Sequence, residues 1–266
     1  MVKFASFSCL HAPITDKTYF NWLITQLEDF QPDYVINLGD WYEAKPAKRF
    51  SKWADEVWTV LDEHREVARQ ASEINRVLPN SKRVLLFGNH DDNFFGENPD
   101  RIESDVRAAL HWKENKDTSV ALKDWKVIEE YSHRTKFKLG PVTFQHGCDV
   151  AMNSMVKASY LYSIPNGLYV CGHTHRPCPV TQVSHLQVPL PYWYANPGCG
   201  ADWDKMHYMK RLSMANWGRG LVIGEVHESA VSSKRSFYSA NSWNAETIMH
   251  SFASENRHLT SHNLRS

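Results

Sequence analysis

The chain has 266 residues, 42% hydrophobic and 12% aromatic, which is enough apolar material for one globular domain with a large core and too much for a disordered chain. Thirty basic and thirty acidic residues cancel, which excludes the broad electrostatic footprint of a non-specific DNA coat or a membrane-surface protein. Five scattered cysteines without CxxC spacing argue against a disulfide framework or zinc ribbon, and with neither signal peptide nor membrane span at the amino terminus a cytoplasmic location is expected.

Val2–Ser8 reads as a buried strand, followed by a helix with Thr15 or Asp16 as N-cap and Phe20, Leu23, Ile24 and Leu27 at helical spacing. Asp33–Leu38 is a second strand. Ser51–Leu78 carries Trp53, Val57, Val60, Leu61, His64, Val67, Ala71 and Ile74 on one stripe, a long amphipathic helix that stops at Pro79 and buries His64 as a packing residue. Lys82–Phe87 is a third strand. This β-α-β-α-β order with continuous apolar strands points to a partly parallel sheet covered by helices. A shorter helix with Ile102, Val106 and Leu110 follows, and 98–126 reads as an insertion with an irregular end at Asp117–Lys126.

The second half predicts a hairpin about Gly140–Pro141, a helix near Met152–Tyr162, and strands at Leu168–Gly172, Val180–Val183, Leu186–Val188, Tyr192–Asn196 and Gly220–Val226. A single domain over 1–241 is expected, with 242–266 a polar tail of little periodicity.

Polar residues of metal-binding type recur where strands end: Cys9 and His11 after the first, Asp40 and Glu43 after the second, Asn89 and His90 after the third. His146, then His173 and His175, follow two later strands. In open α/β sheets the carboxyl ends of the strands share one edge, so residues spread over most of the chain converge there.

"GDWYE" (Gly39–Glu43), "GNHD" (Gly88–Asp91), "QHG" (Gln145–Gly147) and "GHTH" (Gly172–His175), each after a strand and in this order, resemble the signatures of the calcineurin-like metallophosphoesterase superfamily. The resemblance spans about Val2 to Gly200. "SCLHAP" with "NPGC", "YMKR" and "NWGRG" is similar to members encoded by bacteriophages, which would place the protein in the host cytoplasm. The superfamily implies a four-layer α/β/β/α fold, a central double β-sandwich flanked by helices. It also implies two divalent transition-metal ions, such as manganese, iron, zinc or nickel, roughly 3.5–4 Å apart and sharing a hydroxide that attacks a phosphate ester. Motif by motif, Asp40 would bridge the ions. His11, His175 and the residue at position 9 would hold the first, and Asn89, His146 and His173 the second. His90 would be the general acid, with Glu43 holding it in place. Asn89, His90 and Arg176 would meet the substrate phosphate.

Position 9 departs from the pattern, because the family's first motif is D-x-H and this chain reads Cys9-Leu10-His11. A thiolate would favour zinc or iron at the first site; an inert buried thiol is the other reading. Trp41, Tyr42, Lys45, Lys48 and Arg49 after the second motif, and Asn93, Phe94 and Phe95 after the third, would rim the site and suit a nucleotide, or else serve only packing. The leading expectation is a phosphoesterase acting on a phosphodiester or nucleotide-type ester. The rivals are a nuclease on short single-stranded DNA or RNA, a phosphomonoesterase, and a non-catalytic interaction scaffold.

Overall fold

The computed structural model describes residues 1–44, 58–96, 110–151, 153–185, 188–206, 214–227 and 243–250. Six strands form the first sheet: β1 (Val2–Phe7), β2 (Tyr34–Asn37), β3 (Lys82–Leu86), β4 (Trp125–Ile128), β10 (Gly220–Val226) and β11 (Trp243–Met249), in the order β11-β10-β1-β2-β3-β4. β1 to β4 run parallel, and β10 and β11 close one side antiparallel. The second sheet contains β5 (Phe137–Leu139), β6 (Val142–Gln145), β7 (Leu168–Cys171), β8 (Cys178–His185) and β9 (Val188–Asn196) in the order β5-β6-β7-β9-β8. Here β6, β7 and β9 are parallel.

Alternation along the strands decides the layers. Phe4, Ile36, Leu38, Val84 and Leu86 face Val142, Phe144, Leu168, Val170 and Ala195 between the sheets. Phe4 meets Phe144 edge to face at 5.2 Å. On the other face of the first sheet, Ala5, Phe7, Val35 and Leu85 pack with Leu23 and Leu27 of α1 (Lys17–Phe30) and Val67 and Ile74 of α2 (Val60–Val77). α3 (Asn89–Phe95) follows β3, and α5 (Ser154–Tyr162) packs on β7 and β9 of the second sheet. The molecule is thus the four-layer α/β/β/α arrangement, and among the described residues no helix is long and apolar enough to cross a membrane.

Several boundaries differ from expectation. α1 begins after Asp16, whose Oδ1 accepts the Tyr19 N–H at 2.8 Å. α2 starts at Val60, not Ser51: Thr59 and Asp62 form a capping box that satisfies the first-turn N–H groups. Positions 45–57, with Trp53 and Val57, and positions 97–109, with Ile102 and Val106, lie outside the described residues. The stretch expected to be irregular at Asp117–Lys126 contains α4 (Lys116–Ala121), which packs on α2, and the start of β4, which extends the first sheet. The three short strands expected between Val180 and Asn196 are two long ones, β8 and β9. The stretch from 242, expected to be a tail, contributes β11, paired along its length with β10, while 251–266 lie outside the described residues.

Candidate metal centre

The loops after the parallel strands β1, β2 and β3 of the first sheet and after the parallel pair β6 and β7 of the second carry every candidate ligand. The loops after β1 and β2 are zipped by their backbones: Cys9 N–H donates to the Gly39 carbonyl (2.9 Å), His11 N–H to Asp40 (3.0 Å) and Ala12 N–H to Trp41 (2.7 Å). The Gly172 N–H donates to the His146 carbonyl at 3.0 Å, joining the loops after β6 and β7. Cys9, His11, Asp40, His173 and His175 all have φ between 50° and 62°. Left-handed backbone costs a non-glycine residue about 1 kcal/mol, and its concentration here is typical of a functional constellation. Gly88 is required for a different reason: a Cβ there would overlap Asp40 Oδ1 and His146 Cε1.

The ligand-type atoms of the described residues fall into three groups: His11, Glu43 and His90 form one, and the other two share Asp40. Cys9, His11, Asp40 and His175 offer atoms within 4.8 Å of one another, and so do Asp40, His146 and His173. Asn89 joins the second group, its Oδ1 3.2 Å from His146 Nε2. Ring-nitrogen roles follow from the acceptors. His146 Nδ1 lies 2.8 Å from the Leu38 carbonyl, so it carries a proton there and turns Nε2 towards Asp40 Oδ2 (3.2 Å) and Asn89. His11 Nδ1 donates to Glu43 Oε2 at 2.7 Å, which leaves its Nε2 facing His175 Nε2 at 3.3 Å. Two nitrogens bound tetrahedrally to zinc at about 2.0–2.1 Å stand about 3.4 Å apart, so the donor set and this spacing fit a divalent cation.

Burial acts against charge throughout. It raises Asp40, but the charges of His146 and His90 and the His146 contact bring that carboxyl well below the usual range. Burial lowers His146, and the Asp40 charge outweighs it, so its pKa is raised. His173 is brought down to about 4 and His175 to about 3, chiefly by burial, which keeps both neutral and able to ligate. Burial, then the Asp40 charge, pushes the Cys9 thiol well above its ordinary value; a cation bound beside it would reverse that.

These shifts predict a pH dependence in the presence of chelator. His64 (about 4), His173 and His175 have folded pKa values below 6.5, so the unfolded chain binds their protons first and stability is lost as pH falls below about 6.5. Asp91, pushed up to about 7, and His146 act in the opposite sense, their contributions fading as pH rises through their folded values. His111 and His250, also lowered chiefly by burial, act with His64, His173 and His175, so five groups against two leave a net loss, expected as a lower urea midpoint at pH 5 than at pH 7.

The remaining site candidates take definite places. Glu43, expected to hold His90, stands between two histidines: Oε2 accepts from His11 Nδ1 at 2.7 Å and lies 3.5 Å from His90 Nδ1, which donates to the Glu43 backbone carbonyl at 2.8 Å. The His90 N–H donates to Asp40 Oδ1 at 2.8 Å. Arg176 donates from Nη1 to the Val150 carbonyl at 3.3 Å, so that nitrogen serves the loop after β6. Trp41, Tyr42, Phe94 and Phe95, expected at the rim, are core residues: Trp41 Nε1 donates to Gln70 Oε1 (2.7 Å) and the Tyr42 hydroxyl meets His64 Nδ1 (3.2 Å). Lys45, Lys48 and Arg49 lie outside the described residues.

Three residues with a part in the site had no role assigned from sequence. Asp91, fully buried, accepts N–H bonds from Gly88, Asp40 and Tyr42 at 2.7–3.1 Å. Asn196 Nδ2 donates to the Gly172 carbonyl (2.9 Å) and Thr174 Oγ1 (3.1 Å), holding the last histidine loop. The Trp217 ring stands edge to face on His175 at 4.2 Å. Asp91 and Trp217 lie inside motifs already notable in the sequence, "GNHD" and "NWGRG", which was the available signal.

No curated protein matches the chain. Among solved structures it is similar to Vps29 from Entamoeba histolytica, as a single mutant (10% identity, TM-score 0.40, covering 94% of this chain and 99% of that one) and as the wild type complexed with Zn2+ (11%, 0.42, 93% and 98%). Vps29 from Chaetomium thermophilum is a further likeness (9%, 0.40, 85% and 83%). The family model described as calcineurin-like phosphoesterase matches residues 2–177, two thirds of the sequence and all of the ligand-bearing loops, so the chain belongs to the calcineurin-like phosphoesterase family.

Proposed function

We propose that the protein is a phosphodiesterase with two divalent cations, the first held by His11, His175 and Asp40 and the second by Asp40, Asn89, His146 and His173. The observation that carries this reading is that two groups of donor atoms share Asp40. When bound, such cations supply positive charge to the phosphoryl oxygens and lower the pKa of a bound water. Asp40 is suited to both because its two oxygens address different sides, Oδ2 towards His146 and Oδ1 towards the His90 N–H.

His90 is the acid. Its Nδ1 proton is committed to the Glu43 carbonyl, leaving Nε2 to carry a second proton, and its side chain is 16% exposed against 1% for Glu43. That proton goes to the leaving oxygen as the ester bond breaks. A diester, with one negative charge, asks less of cationic side chains than a monoester dianion, and Arg176 already spends Nη1 on Val150. The burial of the aromatic loop residues removes the main argument for a stacked nucleobase.

Protein loaded with manganese or zinc is expected to hydrolyse bis-p-nitrophenyl phosphate faster than p-nitrophenyl phosphate. His90→Ala should keep its metal content and lose about 10²–10⁴-fold in rate. A labelled oligonucleotide tests the nuclease alternative. Loaded protein that turns over none of the three would refute the phosphoesterase reading in favour of a scaffold.

A further inference from the structure

Resting on the two-cation reading, we infer that Cys9 supplies a sulfur ligand that makes the first cation site selective for zinc or ferrous ion, while the second, without sulfur, keeps the oxygen and imidazole donors that manganese accepts. Cys9 Sγ lies within 4.8 Å of the ligand atoms of His11, Asp40 and His175. The residue is held there from several directions. Its φ is 56°, its N–H donates to Gly39 (2.9 Å), and its carbonyl accepts from the Gly200 N–H (3.0 Å) and the Cys199 thiol (3.4 Å).

The two donor sets then differ in kind. The first has one sulfur, two imidazoles and the shared carboxylate; the second has two imidazoles, the same carboxylate and an amide oxygen. Thiolate selects zinc and iron over manganese and magnesium, whereas carboxylate and carbonyl oxygens do not. Cys199 shows what an uninvolved thiol looks like here. It is equally buried, but it donates to a backbone carbonyl and is absent from the group of converging ligand atoms. Behind Cys9, Ile14, Ala201 and Met206 form an apolar wall.

The full chain loaded with equimolar zinc and manganese should retain one of each after dialysis, and zinc-edge absorption should show one sulfur at about 2.3 Å per zinc. Cobalt(II) in place of zinc should give a near-ultraviolet sulfur-to-cobalt band. Cys9→Asp, which restores an oxygen donor, should bind two ions without the sulfur shell, the band or the zinc preference. Two ions bound to wild-type protein with only nitrogen and oxygen around zinc would overturn the sulfur ligand and leave the two-cation reading standing. Failure to bind ions at all would overturn both. The wild-type spectrum decides the matter even if the variant does not fold.

Discussion

Asp40→Ala is expected to empty both cation sites at once and to reduce phosphoesterase activity by more than about 100-fold, the upper range seen for loss of mere supporting partners of a ligand. Among the described residues, Asp40 alone joins the group that contains Cys9 and His175 to the group that contains His146 and His173. Its effect should therefore exceed that of any substitution confined to one half, such as Cys9→Ser or Asn89→Ala. Asp40→Asn is the sharper variant. The amide keeps the shape and an acceptor for the His90 N–H, now 2.8 Å from Oδ1, and its NH2 group can donate to His146 Nε2 in place of the carboxylate oxygen at 3.2 Å. It should fold, with an unchanged urea midpoint in chelator within about 1 kcal/mol, yet bind neither ion. Metal analysis showing two ions in Asp40→Asn would remove the shared-carboxylate reading.

The convergence of these residues was legible in the sequence because the information is local. Each ligand lies within four residues of a strand end, and within each sheet a parallel strand order places those ends on one edge. Partners set by tertiary contact were not legible. Trp41 and Tyr42 follow the second motif as rim residues would, but their polar atoms are met by Gln70 and His64 of α2, a helix whose approach no local pattern announces. That Glu43 also meets His11 was not legible, because the zipped loops after β1 and β2 bring the two together while Oε2 stays 3.5 Å from His90 Nδ1. The edge strands were missed because an edge needs little apolar signal. β4 has only Trp125 fully buried, and β11 alternates weakly along Trp243–Met249, with its pairing to β10 supplying what the side chains do not. The Thr59–Asp62 capping box was present in the sequence, but the continuous apolar stripe from Trp53 concealed it.

Asp91→Ala is expected to be the most destabilising single change near the site, by roughly 3–5 kcal/mol, the range for uncovering buried polar partners. Oδ2 accepts the N–H groups of Asp40 (2.7 Å) and Gly88 (2.9 Å), and Oδ1 that of Tyr42 (3.1 Å), so one side chain ties the loop after β2 to the turn after β3. Alanine leaves three buried donors without partners and frees Asp40 to move. The cost is reduced by what the carboxylate already suffers, since burial and then the Asp40 charge push its pKa up to about 7. Asp91→Asn separates the terms. It removes the charge and preserves the oxygen that serves two donors, but turns an NH2 group on the Tyr42 N–H. It should lose about one hydrogen bond, roughly 1 kcal/mol, and retain metal better than the alanine variant. Urea unfolding in chelator measures the first quantity and metal retention on dialysis the second. An alanine variant as stable as wild type would show that Asp91 does not brace the centre, and an asparagine variant as damaged as alanine would show that its charge, not its acceptors, is what the loops require.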